Sequence, residues 1–132
     1  MKIVSWNING IRAAIKNGFP ESLAKINPDV IGLQEVKIDN DRRAAEAFEF
    51  KGYEDHWHSA KKPGYAGTAI LTKVKPLKLI AGIDLSHFDD EGRTITAEYE
   101  KFYFINNYFP NAQPGLKRIK YKEDYNRDLL AY

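Results

Sequence analysis

The sequence contains no cysteine. Disulfides, thiolate nucleophiles and Cys-ligated metal centres are thereby excluded, and a chain without thiols suits a reducing compartment. No apolar run approaches the roughly 18 to 20 residues that a membrane-spanning helix needs. The first residues enter a strand pattern directly, without the shape of a signal peptide. On these grounds the chain reads as soluble and cytoplasmic, with no membrane partner. An excess of charge of one sign is also lacking: 20 Lys and Arg stand against 18 Asp and Glu, a net +2, with ten basic and nine acidic residues in each half. A nucleic-acid-binding face is permitted, but it must come from arrangement in space rather than from net excess. Internal repeats, low-complexity tracts and linkers are absent as well.

What is present is enough apolar material for one core. The 132 residues suit a single domain, and 43% hydrophobic with 13% aromatic residues rules out disorder, collagen and coiled coil for the whole chain. Residues 2 to 8 alternate, with Val4, Trp6 and Ile8 on one face and Ile3, Ser5 and Asn7 on the other, and Asn9-Gly10 ends the strand. Phe19, Leu23 and Ile26 repeat at helical spacing over 19 to 27, and Pro28 closes that element. Asp29 to Val36 is a second strand. Strand, helix, strand is the βαβ unit, which makes the two strands parallel and brings their C-terminal ends to the sheet edge where α/β proteins place ligands.

Beyond that unit the pattern changes. A polar helix is expected over Asp41 to Phe48, followed by short strands at 53 to 59, 67 to 74, 77 to 81, 94 to 100 and 102 to 109. They follow one another too closely for crossover helices, so antiparallel pairing is expected. The last strand is apolar on both sides and asks for cover on both. From Gly115 the chain turns helical, with Leu116, Ile119, Tyr125 and Leu129 as candidate core positions, and the helix shows no stop signal before Tyr132. The fold class is α/β with a mixed sheet.

Alternation along the second strand puts Ile31, Leu33 and Glu35 on one face, and the βαβ geometry gathers Glu35, Gln34, Asn7 and Asn9 at one edge. A carboxylate among amides suits Mg²⁺ or Ca²⁺ far better than Zn²⁺. The same Glu35 also fits a strand simply meeting solvent. Tyr108 fits ordinary strand packing equally well. His56 and His58 share a face without a third ligand, and Asp89-Asp90-Glu91 reads as a solvated turn.

Five segments then come in order: Ser5-Trp6-Asn7-Ile8-Asn9-Gly10-Ile11-Arg12, Leu33-Gln34-Glu35-Val36-Lys37, Gly64-Tyr65-Ala66-Gly67, Glu91-Gly92-Arg93 and Asn107-Tyr108-Phe109-Pro110-Asn111-Ala112. In register, they resemble the exonuclease III type of abasic-site DNA repair endonuclease, within the endonuclease/exonuclease/phosphatase superfamily. The resemblance implies a Mg²⁺-dependent phosphodiesterase, with Mn²⁺ as a substitute metal. It would cut double-stranded DNA on the 5′ side of abasic sites, with 3′ exonuclease or 3′ phosphatase activity alongside. Glu35 is implied as metal ligand, Asn7 as support for the catalytic centre, Tyr108 as a group against the scissile phosphate, and Asn111 as a holder of DNA or of the abasic nucleotide. Tyr108 could serve there as hydrogen-bond donor or, beside cations, as phenolate. Arg12, Lys16, Trp57 and Arg93 fall where relatives contact the DNA backbone. Asn9 stands where some relatives carry an acid, and Pro114 where some carry a groove-inserting Arg.

The implied fold is a DNase I-like four-layer α/β sandwich, of which residues 1 to 132 would form the N-terminal half, mainly one sheet. The Gly-Asp-x-Asn and Ser-Asp-His segments of the family's other half do not occur here, so the chain alone is expected to be incomplete for catalysis. A lone half leaves an apolar face, to be covered by the missing half or by self-association. Another phosphodiesterase of the superfamily, such as a nonspecific DNase or a phosphoinositide phosphatase, and a catalytically inactive DNA-binding module are the alternative functions.

Overall fold

A computed structural model describes residues 1–132. Strand β1 (Ile3–Asn7) is followed by helices α1 (Ile11–Lys16) and α2 (Phe19–Ile26), strand β2 (Val30–Gln34), helix α3 (Asn40–Glu46), and strands β3 (Glu54–His58), β4 (Thr68–Thr72) and β5 (Lys78–Ala81). Helix α4 (Ser86–Asp89), strands β6 (Thr94–Glu98) and β7 (Tyr103–Asn107), a 3-10 turn at Pro114–Leu116 and helix α5 (Ile119–Ala131) complete the chain. No helix is long and apolar enough to cross a membrane.

The expected pairings hold. β1 runs parallel to β2, and β2–β4, β3–β4, β5–β6 and β6–β7 are antiparallel. The expectation of mainly one sheet does not hold: β1-β2-β4-β3 form a four-stranded sheet and β5-β6-β7 a separate three-stranded one. The chain changes sheet after β4, where Pro76 interrupts the ladder and Leu77 N–H already bonds Glu98 O, at 2.8 Å, in the second sheet.

Alternation decides which side chains meet. Ile31, Leu33, Ala69 and Leu71 point outward from the first sheet and pack with Ile11, Phe19 and Leu23 of the helices. Val30 and Ile70 point inward and meet Ile95, Ala97 and Tyr99 of the second sheet, with Phe102 and Phe104 beside them. On the far side of the second sheet, Thr94 meets Tyr125 and Thr96 meets Tyr132, so α5 forms an outer layer. The order is helices, sheet, sheet, helix.

One polar group crosses between the sheets. Asn106 Nδ2 donates to Leu33 O at 3.0 Å and to Ala69 O at 2.9 Å, while its Oδ1 accepts from Gln34 Nε2 at 2.7 Å. Gly32 makes room for it, since a Cβ there would lie 2.7 Å from Asn106 Oδ1.

Further expectations need correction. Helix α1 was not foreseen, nor was α4, whose Phe88 joins Ile83 and Tyr125 in a small core. Leu116 and Ile119 are exposed, because the 3-10 turn precedes the helix proper and Leu116 adopts φ 55°; Tyr125 is buried and Leu129 packs on the same core. The outer face of strand β7 is covered only at its end, where Asn107 meets Tyr125 of α5, leaving Tyr103 and Ile105 in solvent. The acidic run 89–91 is not simply solvated, for Asp89 accepts the backbone N–H groups of Ile83 (2.8 Å) and Leu85 (3.0 Å).

Candidate active site

Pure alternation would send Glu35 to the helix-covered face with Leu33, away from Asn7, which lies opposite Gln34 in the register. The backbone prevents this. Glu35 has φ 54°, a left-handed conformation that is costly for a residue with a Cβ and is typical of functional sites. It is held by Gly10 N–H on Glu35 O at 2.7 Å and Val36 N–H on Gly67 O at 3.2 Å. The carboxylate thereby meets Asn7, whose Nδ2 donates to Oε1 at 2.9 Å, and Lys37, whose Nζ lies 3.1 Å from Oε2. Burial alone would raise its pKa, but hydrogen bonds from Asn7, Tyr108 and Lys37 outweigh burial and hold the carboxyl below its ordinary value. Gln34 does not join this edge: it turns between the sheets, donating to Ser5 Oγ at 2.9 Å as well as to Asn106. Asn9 is tethered to Lys37 Nζ through its Oδ1, and its N–H donates to Asn7 Oδ1 at 3.1 Å.

Tyr108 follows β7 and approaches the same carboxylate from the second sheet. Burial and the Glu35 carboxylate push its pKa up to about 12, so in this arrangement the phenol is protonated. Arg93 is not on the surface: its side chain is 3% exposed, bonded to Glu91 and Tyr108 O, with its guanidinium 4.9 Å from the Tyr108 ring centroid. Asn111 stands exposed on the following loop, its Oδ1 accepting from Gln113 N at 2.8 Å.

Arg12 and Lys16 project from α1 one turn apart and, with Lys37, Phe48 and Gly64, line an open groove of about 600 Å³ beside Glu35. Trp57 is not brought to that centre. It packs against Phe48 and Phe50, gives its indole N–H to Asp55, and has Arg43 5.7 Å from its ring centroid. His58 Nδ1 contacts Thr94 O at 2.6 Å across the sheets, and His56 lies 3.8 Å from Glu54. No group of three His, Cys, Asp or Glu side chains converges anywhere in the chain.

The sequence pattern of the Endonuclease/Exonuclease/phosphatase family matches residues 4–131. The chain belongs to this family. Its whole length aligns at 43% identity with 37% of a "DNA-(apurinic or apyrimidinic site) endonuclease" from Dictyostelium discoideum, and at 40% identity with 52% of an "Exodeoxyribonuclease" from Bacillus subtilis. Among solved structures, an AP endonuclease from Archaeoglobus fulgidus superposes with a TM-score of 0.85 at 27% identity, over 100% of this chain and 50% of that one. The chain thus spans 37% to 52% of the length of these relatives, and its two sheets correspond to half of an AP endonuclease fold.

Seen as a member of the family, the chain also has site residues that sequence reasoning left without a role. Lys37 is the cation beside Glu35; it follows Glu35 by two residues within a quoted segment, and only the left-handed turn shows what it does. Glu91, Tyr65 and Arg118 form a network around Arg93, with Arg118 Nη1 donating to Tyr65 Oη at 2.9 Å and Arg118 Nη2 to Glu91 Oε1 at 2.8 Å. Glu35, held ionised with Asn7 presenting its amide nitrogen to it, offers one hard carboxylate oxygen site, which suits a dication that keeps most of its water ligands, as Mg²⁺ does. It does not fit Zn²⁺, which takes several nitrogen or sulfur ligands.

Proposed function

We propose that this chain is the metal- and DNA-binding half of a phosphodiesterase that cuts duplex DNA on the 5′ side of abasic sites, with 3′ exonuclease or 3′ phosphatase activity alongside. The observation that carries this reading is the meeting of Glu35 and Asn7 at the ends of β2 and β1, with Tyr108, from the end of β7, near enough to lower the Glu35 pKa. Glu35 would hold Mg²⁺, or Mn²⁺ in its place, and the bound ion supplies charge stabilisation for a phosphate as it is attacked. Asn7 orients the carboxylate, and the neutral Tyr108 phenol donates a hydrogen bond to a phosphate oxygen. Arg12 and Lys16 in the groove take neighbouring backbone phosphates, and Asn111 holds DNA or the abasic nucleotide.

The general base and further charged groups come from a segment outside these 132 residues. That segment, or a second copy of the chain, covers the open flank: β7 packs over β2 and β4, so β1 runs out beside it with Ile3 exposed, and Tyr103 and Ile105 are exposed on the far face of β7. A DNA-binding module without chemistry is the second reading, favoured by the single carboxylate at the centre.

The test uses a duplex oligonucleotide with one abasic site, an intact duplex and a phosphoinositide. The chain alone is expected to bind the abasic duplex in a salt-dependent way without cutting it. Adding a polypeptide equivalent to the second half of the Bacillus subtilis relative should give Mg²⁺-dependent incision, abolished by Glu35→Gln. Equal action on intact duplex or lipid phosphate would overturn the abasic-site reading, and complemented binding with no incision would leave the module reading standing instead.

A further inference from the structure

We propose that Arg93 is a positioning residue for Tyr108 and makes no contact with nucleic acid; this rests on the reading of Tyr108 given above. Each of its three guanidinium nitrogens has an acceptor inside the protein: Nε on Glu91 Oε2 at 2.6 Å, Nη1 on Tyr108 O at 3.1 Å and Nη2 on Tyr65 Oη at 3.2 Å. The backbone adds a fourth tie, with Tyr108 N–H on Arg93 O at 2.8 Å. Both main-chain polar groups of Tyr108 are therefore taken by one residue, whose guanidinium also lies against the Tyr108 ring. Arg93 lies too deep, with its side chain 3% exposed, to offer a free fork to a phosphate, and bidentate phosphate recognition needs such a fork.

Arg93 is itself held. Glu91 accepts from Arg93 on one oxygen and from Arg118 on the other, and Tyr65 Oη accepts from both arginines, closing a ring of four side chains. Gly92 permits the turn between Glu91 and Arg93, since its φ is 61° and a Cβ would come 2.4 Å from His58 O. Arg118 N–H bonds Ala112 O at 2.8 Å, so the ring also anchors the far end of the loop that begins with Tyr108. The ring thus fixes where the phenol points. A lysine could not do the same, because one ammonium cannot serve three acceptors in a plane while stacking on an aromatic ring.

The experiment compares the full chain with Arg93→Gln, Glu91→Gln and Arg12→Ala. Ring resonances of Tyr108 are read by NMR, with Tyr99 between the sheets as internal reference, and the salt dependence of binding to the abasic duplex is measured. Arg93→Gln and Glu91→Gln should both move and broaden the Tyr108 resonances and leave those of Tyr99 in place. Arg93→Gln should keep the logarithmic salt slope of the wild type, whereas Arg12→Ala lowers it by about 1. A slope lowered by about 1 in Arg93→Gln, or unmoved Tyr108 resonances, overturns the proposal. If Arg93→Gln does not fold, Glu91→Gln decides on the resonances alone: displaced, they support positioning, and unmoved, they refute it. Failure of the wild-type chain to bind the abasic duplex would count against the function proposed above, while the resonances still decide the role of Arg93.

Discussion

Two carboxylates set the electrostatics of this molecule, and both are held ionised by neighbours rather than by exposure. At Glu91, burial would raise the pKa, but the hydrogen bonds and charges of Arg93 and Arg118 outweigh burial and hold it below the ordinary value of 4.5. A folded-state pKa below the unfolded one means that the stabilisation is fully present above about pH 4.5 and is lost as pH falls through the folded-state value. Glu91→Gln should therefore cost on the order of 2 kcal/mol near pH 7, the scale of hydrogen bonds to charged groups. The difference should shrink below the ordinary carboxylate pKa. Urea unfolding of both proteins at pH 7 and at pH 3.5 checks this, and a constant difference between them would assign the loss to packing rather than charge.

Elements explain how much could be read from the chain itself. The strands were legible because their alternation is dictated by the sheet: Val30, Ile31 and Leu33 must find cover on both faces of β2, and they do. Their expected ends ran one or two residues too far, since apolar Val74 and Leu77 continue the pattern into the turn where the chain changes sheets. Helix α1 was missed because six residues after a glycine cap offer no side-chain capping signal. The place of Glu35 was legible, but not the manner: the face argument would have pointed it the wrong way, and a left-handed φ corrects it. Nothing in a strand pattern announces such a residue. The resemblance puts Arg93 among the contacts to the DNA backbone; only the fold shows Tyr65, Glu91 and Tyr108 closing around it. The close approach of the sheets gives an element-scale prediction. Gly32→Ala would push Asn106 and the Phe104 ring, 2.7 and 3.0 Å from the new Cβ, and should destabilise by about 1–3 kcal/mol, read as a lowered urea midpoint with unchanged slope.

At the scale of the whole molecule, the two sheets are covered unequally. Helices α1 and α2 cover the first, while α5 covers only part of the second, leaving Tyr103 at 64% and Ile105 at 48% exposure next to an unpaired strand edge. Such an edge invites strand addition. The chain alone is expected to self-associate, so light scattering should give a mass above 15.1 kDa that rises with concentration, and Ile105→Lys should return it toward the single-chain value. A wild-type chain that stays monodisperse at 15.1 kDa would count against an open flank. The inter-sheet Asn106 has a consequence for this assembly. Gln34 immediately precedes Glu35, and Asn106 stands two residues before Tyr108, so their 2.7 Å bond works as a dowel between two plates that each carry part of the proposed centre. Any shear of one plate over the other appears first as misalignment between acid and phenol, so the geometry of the proposed centre is set by a joint that lies outside it.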